Sequence, residues 1–79
     1  MFDRDRVVGI VAEQSGRLVP SITDETIFVN DLGFDELDMM EMIMFVEEEF
    51  DIEITEDEQS EFKTVKDLLE YVEKNIEEG

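Results

Sequence analysis

Between Arg17 and Lys63 the chain has no basic residue, while acids recur throughout that stretch. A carboxylate stays in water unless it is paired, and nothing local can pair these. The fold is therefore set by where the apolar residues between the acids can line up on one side. Over the whole chain 24 acids face six bases, giving a net charge of −18. Residues 1–20 are neutral: Asp3, Asp5 and Glu13 balance Arg4, Arg6 and Arg17. The rest of the chain carries all of the net charge. Such a surface repels nucleic acid and anionic membranes. It attracts basic protein surfaces, with fast association that weakens as salt rises. Disorder does not fit, because 42% of the residues are hydrophobic and their spacing is regular.

The chain has no Cys and no His. That excludes disulfides, zinc sites built on those ligands, and Ser-His or Cys-His nucleophiles. No apolar run approaches the roughly 18 residues of a membrane span. The opening MFDRDRVVGI lacks the basic-then-apolar plan of a secretion signal. A cytoplasmic location is the expectation. With no internal repeat and no Pro-, Gly- or Ser-rich linker, residues 1–79 are expected to form one domain, a monomer. A calcium loop beginning at Asp51 fails: its sixth position needs Gly and holds Glu56, and its twelfth needs Glu and holds Phe62.

Hydrophobic spacing predicts a helix over 3–15, with Val7, Ile10, Val11 and Gln14 on one face, Asp3 as N-cap and Gly16 at the C-terminus. A second helix is predicted over 36–50. Asp35 caps it, and Asp38 completes an acidic form of the capping box. Leu37, Met40, Ile43 and Met44 form its apolar stripe, extended by Phe50. The run MIMFV (42–46) is apolar all round, so this helix is expected to touch the core on more than one side. Thr55 with Glu58 predicts a short helix to about Phe62. Thr64 with Asp67 predicts a last one, with Val65, Leu68, Leu69, Val72 and Ile76 at helical spacing. TIFV (26–29) and DIEIT (51–55) have strand propensity. No hairpin turn joins them, and coil is the reading adopted. That leaves about twenty residues between the first two helices, a long connection. Leu18, Val19, Ile22, Ile27, Phe28 and Leu32 are the candidates to pin it to the core.

The run FVNDLGFDELDMMEMIMFVEEEFDIEI (28–54), followed by KTVKDLLEYV (63–72), closely resembles the acyl carrier proteins of fatty acid and polyketide synthesis. The resemblance implies an all-α four-helix bundle with a long first loop and a short third helix. It also implies a carrier rather than an enzyme, with acyl thioesters held on a 4′-phosphopantetheine arm. In the family that arm hangs from a serine in a D-S-L motif, at the start of the second helix. A helix N-terminus suits a phosphate there, through its free N–H groups and dipole. In this sequence the motif reads Asp35-Glu36-Leu37, so Glu36 stands at the serine position. A carboxylate cannot form that phosphodiester, and no cofactor is expected on this chain as it stands. Ser15, Ser21 and Ser60 do not lie in a matching motif.

Three meanings of Glu36 stand open on the sequence. It is a tolerated residue in a protein that lost its arm, a residue introduced to block modification, or a charge that imitates the arm's phosphate. Acid–base catalysis by Glu36 with Asp35 or Asp38 would need a buried carboxylate with a raised pKa, and a helix start opposes that. The resemblance places partner docking on the second helix, at Asp35, Leu37, Asp38, Met40, Glu41, Met44, Glu47 and Glu48. The expected partners are basic surfaces of fatty acid or polyketide synthase enzymes. An arm-free interaction or regulatory protein docking on the same enzymes is the alternative. The resemblance also puts Phe34, Met39, Met44, Phe45, Val46 and Leu68 near a possible acyl cavity, which Phe45 would fill if it pointed inward.

Overall fold

The computed structural model describes residues 2–77. Its elements are α1 (Arg4–Ser15), a single 3-10 turn (Val19–Ser21), α2 (Glu36–Phe50), α3 (Glu56–Gln59) and α4 (Val65–Glu77). The all-α expectation holds, and the helix starts are those the caps predict. Asp3 accepts from the Asp5 N–H at α1. Gly16, at φ 72°, closes α1 by donating its N–H to Ala12, in a backbone region where a side chain would be strained.

The core joins Val7, Val8, Val11 and Ala12 of α1, Met39, Met42, Ile43 and Val46 of α2, and Val65, Leu68, Leu69 and Val72 of α4. Two predicted faces are rotated relative to it. In α1, Val8 and Ala12 are buried, and Ile10 and Gln14 turn to the flank. The cause is that α1 packs on both α2 and α4, so its buried side is broader than one stripe. In α2 the correction is larger. Of the predicted stripe only Ile43 is buried; Leu37, Met40 and Met44 are 61%, 51% and 53% exposed. Phe45 is also half exposed, so it does not fill the core. α2 carries more apolar residues than one buried face can take. Its outer side stays uncovered because α3 is a single turn, too short to screen it.

α3 stops at Gln59, short of the predicted Phe62. The Ser60 hydroxyl donates to the Asp57 carbonyl at 2.7 Å, and the chain then turns. Phe62 instead packs its ring edge-on against Tyr71, with centroids 5.4 Å apart. The Tyr71 hydroxyl lies 2.8 Å from Glu58 Oε1 and 3.2 Å from the Glu53 carbonyl, tying α3 to α4. Burial, with the Glu58 carboxylate as its hydrogen-bond acceptor, pushes Tyr71 up to about 12. A pKa raised in the fold gives stability that is whole below the unfolded value of roughly 10 and is lost as pH climbs to the folded one. Urea midpoints should therefore fall between pH 10 and 12 more steeply for the unaltered chain than for Tyr71→Phe. Parallel profiles would contradict the Tyr71–Glu58 tie.

The long first connection is not loose. Ile22 and Phe28 are buried and Ile27 and Leu32 partly so, whereas Leu18 and Val19 lie at the surface, contrary to expectation. Leu18 caps and Val19 opens the exposed 3-10 turn, whose bonds close on themselves and do not draw it inward. TIFV forms no strand. Only Ile27 pairs, in one antiparallel bridge to Thr64 flanked by bonds from the Phe28 N–H to Lys63 and from the Val65 N–H to Thr26, and the chain turns from Phe28 onward. DIEIT is also coil. Asp51 ends α2 at φ 54°, and the period-two pattern places Ile54 in the core and Ile52 beside it.

Candidate functional site

The start of α2 is positioned by the segment before it. Asp31 folds back so that its Oδ2 accepts the Ile27 N–H at 2.7 Å, while its own N–H donates to the Ile27 carbonyl at 2.9 Å. Leu32 packs partly into the core. Gly33 takes φ 70°, which permits the reversal that brings Phe34 under Phe28. The two rings stack with centroids 5.8 Å apart, and the Phe34 N–H donates to the Phe28 carbonyl. DLGF is thus a local device that sets the height and direction of α2.

The helix then opens with a reciprocal capping box. Asp35 Oδ1 accepts the Asp38 N–H at 2.9 Å, and Asp38 Oδ2 accepts the Asp35 N–H at 3.1 Å. Glu36 is the first residue of the helix and is exposed. Two carboxylates already serve the helix end, so Glu36 is not required as a cap. A phosphodiester-linked arm does not fit this position as it stands, since a carboxylate has no hydroxyl to esterify. No Ser or Thr occurs in the first turn of α2. The three serines are engaged elsewhere: Ser15 Oγ donates to Ala12, Ser21 Oγ to Leu18 and Ser60 Oγ to Asp57.

The residues predicted for docking do not share one face. Asp35 and Asp38 are committed to the cap. Leu37 lies exposed on the crest of the helix. Glu36, Met40, Met44 and Glu47 line an open groove of about 490 Å³ between α2 and α3. Ile54, Gln59 and Ser60 form its other wall. Those wall residues had no mark in the sequence, because only the fold of the one-turn α3 brings them across. Glu47 has a structural duty too: its Oε2 accepts the Ile54 N–H at 2.8 Å, fastening the connection after α2. Glu41 turns the other way, accepting from Gln14 Nε2 of α1 at 3.0 Å. Glu48 also faces the α1 side, beside Phe45. Of the six residues placed near an acyl cavity, Phe34, Met39, Val46 and Leu68 are buried together, while Met44 and Phe45 lie outside.

The α2–α3 groove has an apolar floor, acids at both ends and no base in its lining. Its chemistry is recognition of apolar side chains by contact and of cations by charge. Among the described residues, no group of His, Cys, Asp and Glu side chains is placed to hold a metal ion. No helix is long and apolar enough to cross a membrane among these residues.

The family model described as "Phosphopantetheine attachment site" matches residues 5–72. Among solved structures, the chain is similar to an acyl carrier protein from Thermotoga maritima. That crystal structure is 36% identical over 94% of this chain and 86% of its own, with a TM-score of 0.78. A match that runs from α1 into α4, with the same fold at that identity, places this chain in the acyl carrier protein family, that of the phosphopantetheine attachment site.

Proposed function

We propose that this chain is an acyl-carrier-type protein of fatty acid or polyketide biosynthesis that keeps the family's scaffold but is not loaded with 4′-phosphopantetheine as it stands. The observation that carries the reading is Glu36 at the first position of an intact, well-capped α2, where an attachment residue needs a hydroxyl. Acyl carrier proteins interact with synthase enzymes. On this chain the surface offered to them is the α2–α3 groove with Leu37 at its edge, and the partner surface it suits is basic with apolar contacts. The chain acts as one domain over 1–79, monomeric and cytoplasmic, and performs no catalysis itself.

A second reading is favoured by the exposure of Leu37, Met40 and Met44 beside carboxylates, a surface complete without any arm. On that reading the protein docks on synthase enzymes as a scaffold, competitor or regulator. Calorimetric titration of the unmodified chain against a fatty acid or polyketide condensing enzyme separates the two. Arm-free docking predicts measurable binding that Met40→Ala with Met44→Ala weakens about tenfold, the size of effect expected when apolar interface anchors are truncated. Binding only by a loaded Glu36→Ser form would remove the arm-free reading and leave the carrier reading standing.

A further inference from the structure

The opposite flank of α2 carries a second groove, of about 310 Å³, closed on its other side by α1. Ile10 and Phe45 form its apolar floor, and Glu13, Gln14, Glu48 and Glu49 its rim. Five residues at about 100° each put Phe45 roughly 140° around the helix axis from Met40, so the two grooves open in different directions. Phe45 is 50% exposed, a large aromatic surface left in water. The rim residues are not equivalent. Glu49 is paired with Arg6 at 3.0 Å, and Gln14 is held by Glu41. Glu13 and Glu48 make no hydrogen bond or ion pair among the described residues. Glu48 also lies near the C-terminal end of α2, where the helix's own field disfavours a negative charge. Neither carboxylate therefore has a folding role in this structure that explains it.

We propose that this α1–α2 groove is a second docking surface, for a positively charged segment of a partner protein that lays one apolar side chain over Ile10 and Phe45 with cations at Glu13 and Glu48. Charge decides among the occupants. A second copy of this chain brings its own −18 and is repelled, as are nucleic acid and anionic lipid. A free acyl chain would cover Phe45 but leave the two carboxylates unpaired. A basic amphipathic segment satisfies both floor and rim. The surface shares no lining residue with the α2–α3 groove, so both can be occupied at once, and the proposal rests on neither Glu36 nor the carrier reading.

The test is an amide NMR titration of the whole ¹⁵N-labelled chain with a synthetic Leu/Lys peptide of helical amphipathic spacing, beside an oligolysine of equal charge. The expected footprint includes Ile10, Gln14, Phe45 and Glu49. Phe45→Ser should weaken the peptide about tenfold at those amides. Glu13→Lys with Glu48→Lys should weaken it further at low salt. Met44→Ser should leave this footprint in place. All four substituted residues are at the surface, and unchanged far-UV circular dichroism checks that the variants fold. The proposal is overturned by a footprint confined to Met40, Met44 and Ser60, by an unchanged affinity in Phe45→Ser, or by an equal affinity and footprint with oligolysine. Self-association abolished by Phe45→Ser would assign the groove to a second copy instead, and equally overturn it.

Discussion

Phe28→Ala should lower the unfolding free energy by about 3–5 kcal/mol, the cost of removing a fully buried aromatic from a packed core. Phe28 is the largest fully buried side chain and belongs to the long first connection, not to a helix. It stacks on Phe34, next to the α2 cap Asp35, and its backbone bonds to Lys63, next to Thr64 at the α4 entrance. One residue thus links the loop to the approach to α2 through its side chain and to the approach to α4 through its backbone. A domain of this size has roughly 4–12 kcal/mol in all, at about 0.05–0.15 kcal/mol per residue. The loss would leave the variant near its folding threshold. Val29, its neighbour, is 62% exposed, and Val29→Ala should change stability by less than about 0.5 kcal/mol. Urea unfolding followed by circular dichroism measures both. A loss below about 1 kcal/mol for Phe28→Ala would mean that the loop is not part of the cooperative core, and that DLGF does not hold α2 in place.

The helix starts were legible in the sequence because each is a local event. Asp3, the Asp35/Asp38 pair and Thr55 with Glu58 cap within four residues of themselves, so spacing alone reveals them. The faces were less legible. In α2 the apolar residues surround the axis, and which of them are buried depends on how much of the helix its neighbours can cover. That depends on α3 being one turn long, a fact set by Ser60 and the turn after Gln59. The same cause split the predicted docking residues. Periodicity puts Met40 and Met44 in the apolar stripe of α2 and Glu41 outside it, and only tertiary packing decides that the two methionines overlook α3 while Glu41 reaches Gln14. TIFV misleads propensity for a related reason: its β-branched residues favour an extended backbone, and the partner they meet is the α4 entrance rather than another strand. Position 36 was readable because identity, not environment, decides whether a side chain can form an ester.

Glu36→Ser should convert a chain that gains no arm into one that does, a change from none to full loading. The substitution puts a hydroxyl on the first residue of α2, exposed to an incoming enzyme. Asp35 and Asp38 continue to cap the helix, since neither bonds to Glu36. The free N–H groups of the first turn would then be available to stabilise the phosphate of the arm. Removing a negative side chain from that turn costs only about 0.3–1 kcal/mol through the helix dipole, too little to unfold the chain. The most direct test is intact-mass spectrometry of the unaltered chain and of Glu36→Ser, after incubation with coenzyme A and a broad-specificity phosphopantetheinyl transferase. The Ser variant alone should gain the mass of one phosphopantetheine. Loading of the unaltered chain would contradict it, because another residue would then carry the arm. Loading of neither would contradict it too, by showing that the fold is kept without the recognition that defines a carrier.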